Sequence, residues 1–147
     1  MAKKFKFRLE STLKLRGYYA GLARESLAQA VNMRAEKERA IDEQSQYYRS
    51  LLGQLKGTVR ASELQAVQKH KEFIVSEIKR LEKEKKHILE IESVRRGKLT
   101  EAMKNEKILE KLKEKKLDEH RRELNREETI FLDEVAGGGA SRAKERL

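Results

Sequence analysis

From Ser62 to about Ala136 the chain runs without a proline and with one glycine, Gly97. The stretch is dense in Lys, Glu, Leu and Arg, all strong helix formers. It predicts a single helix of about 75 residues, about 110 Å long at its rise per residue. A compact globule of 147 residues has no room for such a helix. The chain is therefore expected to form a rod or a spoke.

A 3,4 spacing taken from Leu64 gives the seats Leu64, Val67, Lys71, Ile74, Ile78, Leu81, Lys85, Ile88, Glu92, Arg95, Leu99, Ala102, Glu106 and Leu109. Nine of these fourteen are apolar. That is the pattern of a coiled-coil seam, weakened by its polar seats. Beyond Leu109 the phase slips, although Leu117, Leu124 and Phe131 still repeat every seven residues. Ser62 and Gln65 fit a capping box at the start of the helix.

A first helix is expected over about residues 11–56. Leu13, Ala20, Leu27, Ile41, Tyr48 and Leu55 share one seven-residue column, interrupted by Arg34, and Val31, Leu52 and Val59 share a companion column. Gly57-Thr58-Val59-Arg60-Ala61 reads as the turn, with Gly57 able to close a helix in the left-handed conformation. So short a link makes the two helices antiparallel neighbours. Pairing positions whose numbers add to 119 sets apolar seats of the two seams opposite each other, with Ile41 beside Ile78 and Ala20 beside Leu99. The fold class is therefore all-α: an antiparallel two-helix coiled-coil hairpin, one domain over residues 1–136 with a flexible tail at 137–147. The same register sets Arg34 against Lys85 and Arg24 against Arg95, two like-charge meetings. It also places Ser11 opposite Ile108, so the second helix overhangs at its C-terminal end with Leu117, Leu124 and Phe131 on one stripe. Phe5-Lys6-Phe7-Arg8-Leu9 alternates apolar and basic residues, which fits either an extended lead-in or the first frayed turns.

Zero proline and 41% charged residues, with heptad spacing, are the composition of long helices. With no cysteine, disulfides and thiolate metal sites are excluded. No apolar run reaches the length of a membrane span, and no secretory signal is expected. The net charge of +10 is uneven: residues 1–60 hold 13 basic against 6 acidic residues, and residues 61–147 hold 22 against 19. A solvated helix face accounts for most of these charges. The first sixteen residues, with a balance of +5 and two phenylalanines, are the exception.

No phosphate-loop motif is present, and Gly53-Gln54-Leu55-Lys56-Gly57-Thr58 has the wrong order for one. His70, His87 and His120 are too far apart to share a metal. Two helices offer no pocket to desolvate an acidic pair. The expectation is a non-enzyme with no cofactor and no metal. Tyr47, Leu51 and Phe73 lie off the seam near Tyr48, and exposed aromatics of this kind are typical binding anchors.

The opening Phe5-Lys6-Phe7-Arg8-Leu9-Glu10-Ser11-Thr12-Leu13-Lys14-Leu15-Arg16 resembles the start of the flagellar FliJ family. So do Lys107-Ile108-Leu109-Glu110-Lys111-Leu112-Lys113-Glu114-Lys115 and the close Phe131-Leu132-Asp133-Glu134-Val135-Ala136. The resemblance covers residues 5–136 and implies a two-helix stalk similar to the γ subunit of rotary ATPases. It implies a cytoplasmic part of the type III flagellar export apparatus, peripheral to the cell membrane at the flagellar base. The implied partners are the export ATPase hexamer, the cytoplasmic part of the export gate membrane protein, and export chaperones. The paired termini would enter the ATPase ring and promote its assembly and hydrolysis, through Phe5, Phe7, Arg8, Leu13, Leu117, Leu124 and Phe131. By match to the family's gate-binding patch, Ile41, Tyr48 and Phe73 would meet the gate, with Tyr47 beside them; Lys37, Gln44 and Glu77 are polar where that patch continues.

Two other readings fit the same charge and periodicity. One is a basic coiled-coil module for RNA or anionic lipid, which would lose affinity steeply with salt. Aromatic residues are scarce and not spaced as a stacking platform, so no nucleic-acid partner is expected. The other is a homodimeric scaffold in which the overhang pairs with itself.

Overall fold

The structure, a computed structural model, describes residues 3–54, 57 and 60–145, with the backbone alone at 140–145. Two helices account for nearly all of it: α1 over Glu10–Gln54 and the longer α2 over Ala61–Glu145. They pack antiparallel as a helical hairpin. At the reversal Gly57 has φ +91°, a left-handed conformation that other residues rarely adopt. The neighbouring Leu55, Lys56, Thr58 and Val59 lie outside the described residues.

Two boundaries differ from expectation. Helix α2 begins at Ala61, and Leu64 N donates to Arg60 O at 3.1 Å. Ser62 thus lies inside the first turn and does not cap it. At the far end α2 continues past Ala136 through Gly137, Gly138 and Gly139 to Glu145. The lead-in ends in a turn at Arg8 and Leu9, where Glu10 N donates to Phe7 O and Leu13 N to Leu9 O. Of the two readings of Phe5–Leu9, the non-helical lead-in is the one observed.

Packing divides the chain into two compact units. A terminal unit joins Met1–Tyr18 to Met103–Leu147, and a turn unit comprises Tyr19–Ala102. In the turn unit Ala20, Ala30, Leu51, Ile74, Leu81 and Ile88 are buried. Every seat of the expected α2 seam from Val67 to Leu109 is buried or half-buried; Leu64 alone is exposed. On α1 the column from Leu13 to Tyr48 holds, but its companion is displaced by one residue. Ala23, Ala30, Lys37, Gln44 and Leu51 turn inward, while Leu52 is exposed. Leu51 is 4% exposed and Leu52 50%, which corrects the placing of Leu51 outside the seam. The reason is spacing: 27, 30, 34, 37, 41, 44, 48 and 51 step by 3 and 4, the rhythm a seam needs.

The register also shifts. In the turn unit Lys37 meets Glu84 and Arg95 meets Ser26, pairs whose numbers add to 121 rather than 119. This removes the like-charge meetings. Arg34 reaches Glu92 Oε2 at 2.7 Å and Glu38 Oε1 at 3.0 Å. Lys85 lies 3.7 Å from Glu38, and Arg95 Nη1 donates to Ser26 O at 2.8 Å. In the terminal unit Glu10 meets Lys113 at 2.9 Å, numbers that add to 123. Ser11 therefore falls opposite about Leu112, one turn beyond the expected Ile108.

Candidate docking surfaces

The terminal unit is built by laying residues 3–9 on α2. Exposure alternates along this lead-in: Phe5, Phe7 and Leu9 are half-buried, while Lys4, Lys6 and Arg8 are exposed. The apolar members face a groove of about 810 Å³ whose α2 wall includes Leu112, Lys116, His120 and Glu123. His120 fixes the lead-in twice. Its ring sits 5.6 Å from that of Phe5, and its Nε2 is 3.0 Å from Lys3 O. A carbonyl only accepts, so Nε2 carries the hydrogen. The lead-in thereby takes the place of α1 along α2 from about Leu112 to Glu123. A non-helical partner imposes no 3.5-residue repeat. The half-buried positions from 109 onward are accordingly 109, 112, 113, 117, 120 and 124 in α2, which is where the seam was expected to lose phase.

Past Leu124 every described side chain of α2 up to Gly139 is exposed. Ile130, Phe131, Leu132 and Val135 are among them, between 48% and 63% exposed. The residues expected to meet a ring thus separate. Phe5, Phe7, Leu13, Leu117 and Leu124 are half-buried within the unit, while Arg8 and Phe131 face solvent. The bare stretch starts directly after Leu124, about two turns past Leu117, later than a register of 119 implied, because the lead-in covers what α1 leaves open. Ile130, Leu132 and Val135 extend the exposed apolar face; the run Ile130-Phe131-Leu132 carried that signal. Nothing in the sequence links His120 to Lys3, which lies 117 positions away.

The turn unit separates the other predicted set. Ile41 is a half-buried seam residue. Tyr48 flanks a groove with Gln68, Lys71, Glu72 and Val75. Tyr47 lies on the opposite flank: its hydroxyl is 2.7 Å from His70 Nε2 and the rings meet edge to face at 5.4 Å. Phe73, three residues beyond His70, is 59% exposed on that second flank. Tyr47 and Phe73 thus share a face that Tyr48 does not.

Below Phe73 the second flank is charged. Lys37 Nζ is 2.6 Å from Glu84 Oε2, and Arg80 bridges Glu77 at 2.7 Å and Glu84 at 2.9 Å. The Lys37 contact, then the charges of Lys37 and Arg80, hold the Glu84 carboxyl below its usual range. Glu77 in turn raises Arg80, as Glu92 foremost and Glu38 raise Arg34. Lys37 and Glu77, polar positions of the expected gate patch, are thus tied into ion pairs. The Lys37, Glu77, Arg80 and Glu84 side chains are partly exposed, so their pairs fix geometry more than they stabilise.

Among the described residues no helix is long and apolar enough to cross a membrane, and no group of acidic or histidine side chains is placed to hold a metal ion. A family model described as "Flagellar FliJ protein" matches residues 5–145. No curated protein and no solved structure matches the chain.

Proposed function

Since the chain belongs to the FliJ family of non-catalytic flagellar export components, we propose that it is the stalk that couples the export ATPase to the rest of the flagellar export apparatus. The terminal unit enters the ATPase ring and promotes ring assembly and ATP hydrolysis. The observation that carries this reading is the group of exposed apolar side chains Ile130, Phe131, Leu132 and Val135, with Phe131 and Val135 side by side, on a helix end with no other part of the chain against it among the described residues. Apolar side chains grouped this way on one short stretch favour a protein partner. Phe5, Phe7, Leu13, Leu117 and Leu124 support that end from within, and Arg8 and Phe131 meet the ring. The turn unit offers Tyr47 and Phe73 to the cytoplasmic part of the export gate, with Ile41 and Tyr48 behind them, and export chaperones bind the same stalk. The protein works at the inner face of the cell membrane, at the flagellar base, without spanning it.

The test is ATP hydrolysis by the export ATPase of the same genome, with and without the full chain. The intact chain raises the rate. Phe131→Asp with Val135→Asp abolishes most of that rise while leaving the helical circular dichroism intact. Stimulation equal to wild type by that variant would overturn the assignment of this end.

A further inference from the structure

The terminal unit carries two exposed surfaces of opposite charge. On the lead-in, residues 3–9 hold four basic and no acidic side chains, with Lys4, Lys6 and Arg8 turned to solvent. At the far end of α2, residues 127–139 hold Glu127, Glu128, Asp133 and Glu134 and no basic residue. Among the described residues no ion pair reaches any of these seven side chains. The acidic stretch also carries the exposed Ile130, Phe131, Leu132 and Val135. Within one molecule the two surfaces lie one after the other along α2. The lead-in is held against Leu112–Glu123 by His120, and residues 127–139 continue the same unbroken helix beyond it.

We propose that the terminal unit binds the terminal unit of a second copy of this chain, the basic lead-in of each copy lying on the acidic, apolar end of the other's α2. The arrangement is self-complementary: the same two patches meet twice across a two-fold axis, as closed symmetric dimers require. On the helix Glu127 and Glu134 lie to one side of Phe131 and Val135 and Glu128 to the other, so carboxylates flank an apolar strip that a row of cations can cover. Each contact joins a row of cations to carboxylates and covers the apolar face between them. The proposal stands apart from ring insertion, and the chain alone tests it. Because both use the same end, a self-paired copy is also one that cannot occupy a ring.

The experiment is sedimentation of the full chain at tens of micromolar, at about 50 mM and about 500 mM salt, where screening of exposed charges differs strongly. The expected result is a dimer at low salt that dissociates at high salt. A lead-in variant with Lys4→Glu, Lys6→Glu and Arg8→Glu is monomeric at low salt. So is an end variant with Glu127→Lys, Glu128→Lys, Asp133→Lys and Glu134→Lys. Mixing the two variants one to one restores the dimer, because each lead-in then faces an end of opposite charge. The proposal is overturned by a wild type that stays monomeric at low salt, by reversal variants that dimerise as wild type does, or by a mixture that remains monomeric. Should the end variant lose helicity, the same mixing test run with Glu127→Lys and Glu134→Lys alone decides the matter.

Discussion

Glu92 is the most buried charged side chain described, 5% exposed on a seam seat where a leucine would fit the pattern. It survives there because Arg34 meets one oxygen at 2.7 Å and Arg96 the other at 3.0 Å. A buried ion pair of this kind seldom adds stability over well-packed apolar residues, since desolvation offsets attraction. Replacing the pair, Glu92→Leu together with Arg34→Leu, is therefore expected to stabilise the hairpin by about 1 kcal/mol. Glu92→Ala, which leaves a void in the seam, should destabilise it by about 1–2 kcal/mol. Thermal melting followed by circular dichroism distinguishes the two, and equal losses would show that the pair contributes more than packing. Glu84 gives a pH dependence of definite sign. Its folded pKa lies below its ordinary value of 4.5, chiefly through Lys37. The stability it contributes is thus fully present above that value and is lost as pH falls through the lowered one. Glu84→Gln should flatten the acid limb of Tm against pH by lowering Tm in the neutral region while leaving the most acid end unchanged. An unchanged acid limb would mean the pair has no role in folding.

At the scale of elements, the long helix was legible because its seam repeats over many turns, and a repeat that long averages out the polar seats at Lys71, Lys85 and Glu92. The companion column of α1 was not, because Ala23, Lys37 and Gln44 carry too little hydropathy to outvote Val31 and Leu52. The register missed by about half a turn in the turn unit for a related reason. Apolar pairs fixed it in the sequence, whereas in the fold Arg34, Lys37, Lys85 and Arg95 set it by reaching carboxylates and a carbonyl. The lead-in remained open in the sequence because five alternating residues suit a strip or a frayed helix equally, and its fastening, His120, lies on the other element. That fastening is testable. His120→Ala removes both the hydrogen bond to Lys3 O and the contact with Phe5. Trypsin should then cut at Lys4, Lys6 and Arg8 several-fold sooner, with cleavage elsewhere unchanged; identical kinetics would show that Phe7 and Leu9 hold the segment unaided. At the reversal, Gly57→Ala places a side chain at φ +91° and should destabilise by about 1–2 kcal/mol, the penalty of the left-handed conformation.

Over the whole molecule, the two units differ in what holds their backbone hydrogen bonds in place. In the turn unit α2 is backed by α1, with Ile74, Leu81 and Ile88 buried between them. In the terminal unit residues 125–139 have no such backing, and three of them in sequence, Gly137, Gly138 and Gly139, are each about 1 kcal/mol less favourable in a helix than alanine. A helical stretch without tertiary packing is marginal in water. Amide hydrogen exchange should therefore be graded: slowest around Ile74–Ile88, intermediate under the lead-in at Leu112–Glu123, and fastest from Asn125 onward. The gradient matters for function because a helix end that opens easily is ordered by whatever docks on it. If the export ATPase takes that end into its ring, adding it should slow exchange over residues 125–139 by an order of magnitude or more and leave Ile74–Ile88 as they were. In the self-paired dimer the lead-in and residues 125–139 should be protected together, and high salt should remove both effects at once. Protection appearing only in the turn unit would move the docking surface to Tyr47 and Phe73 and leave the apolar helix end without a role.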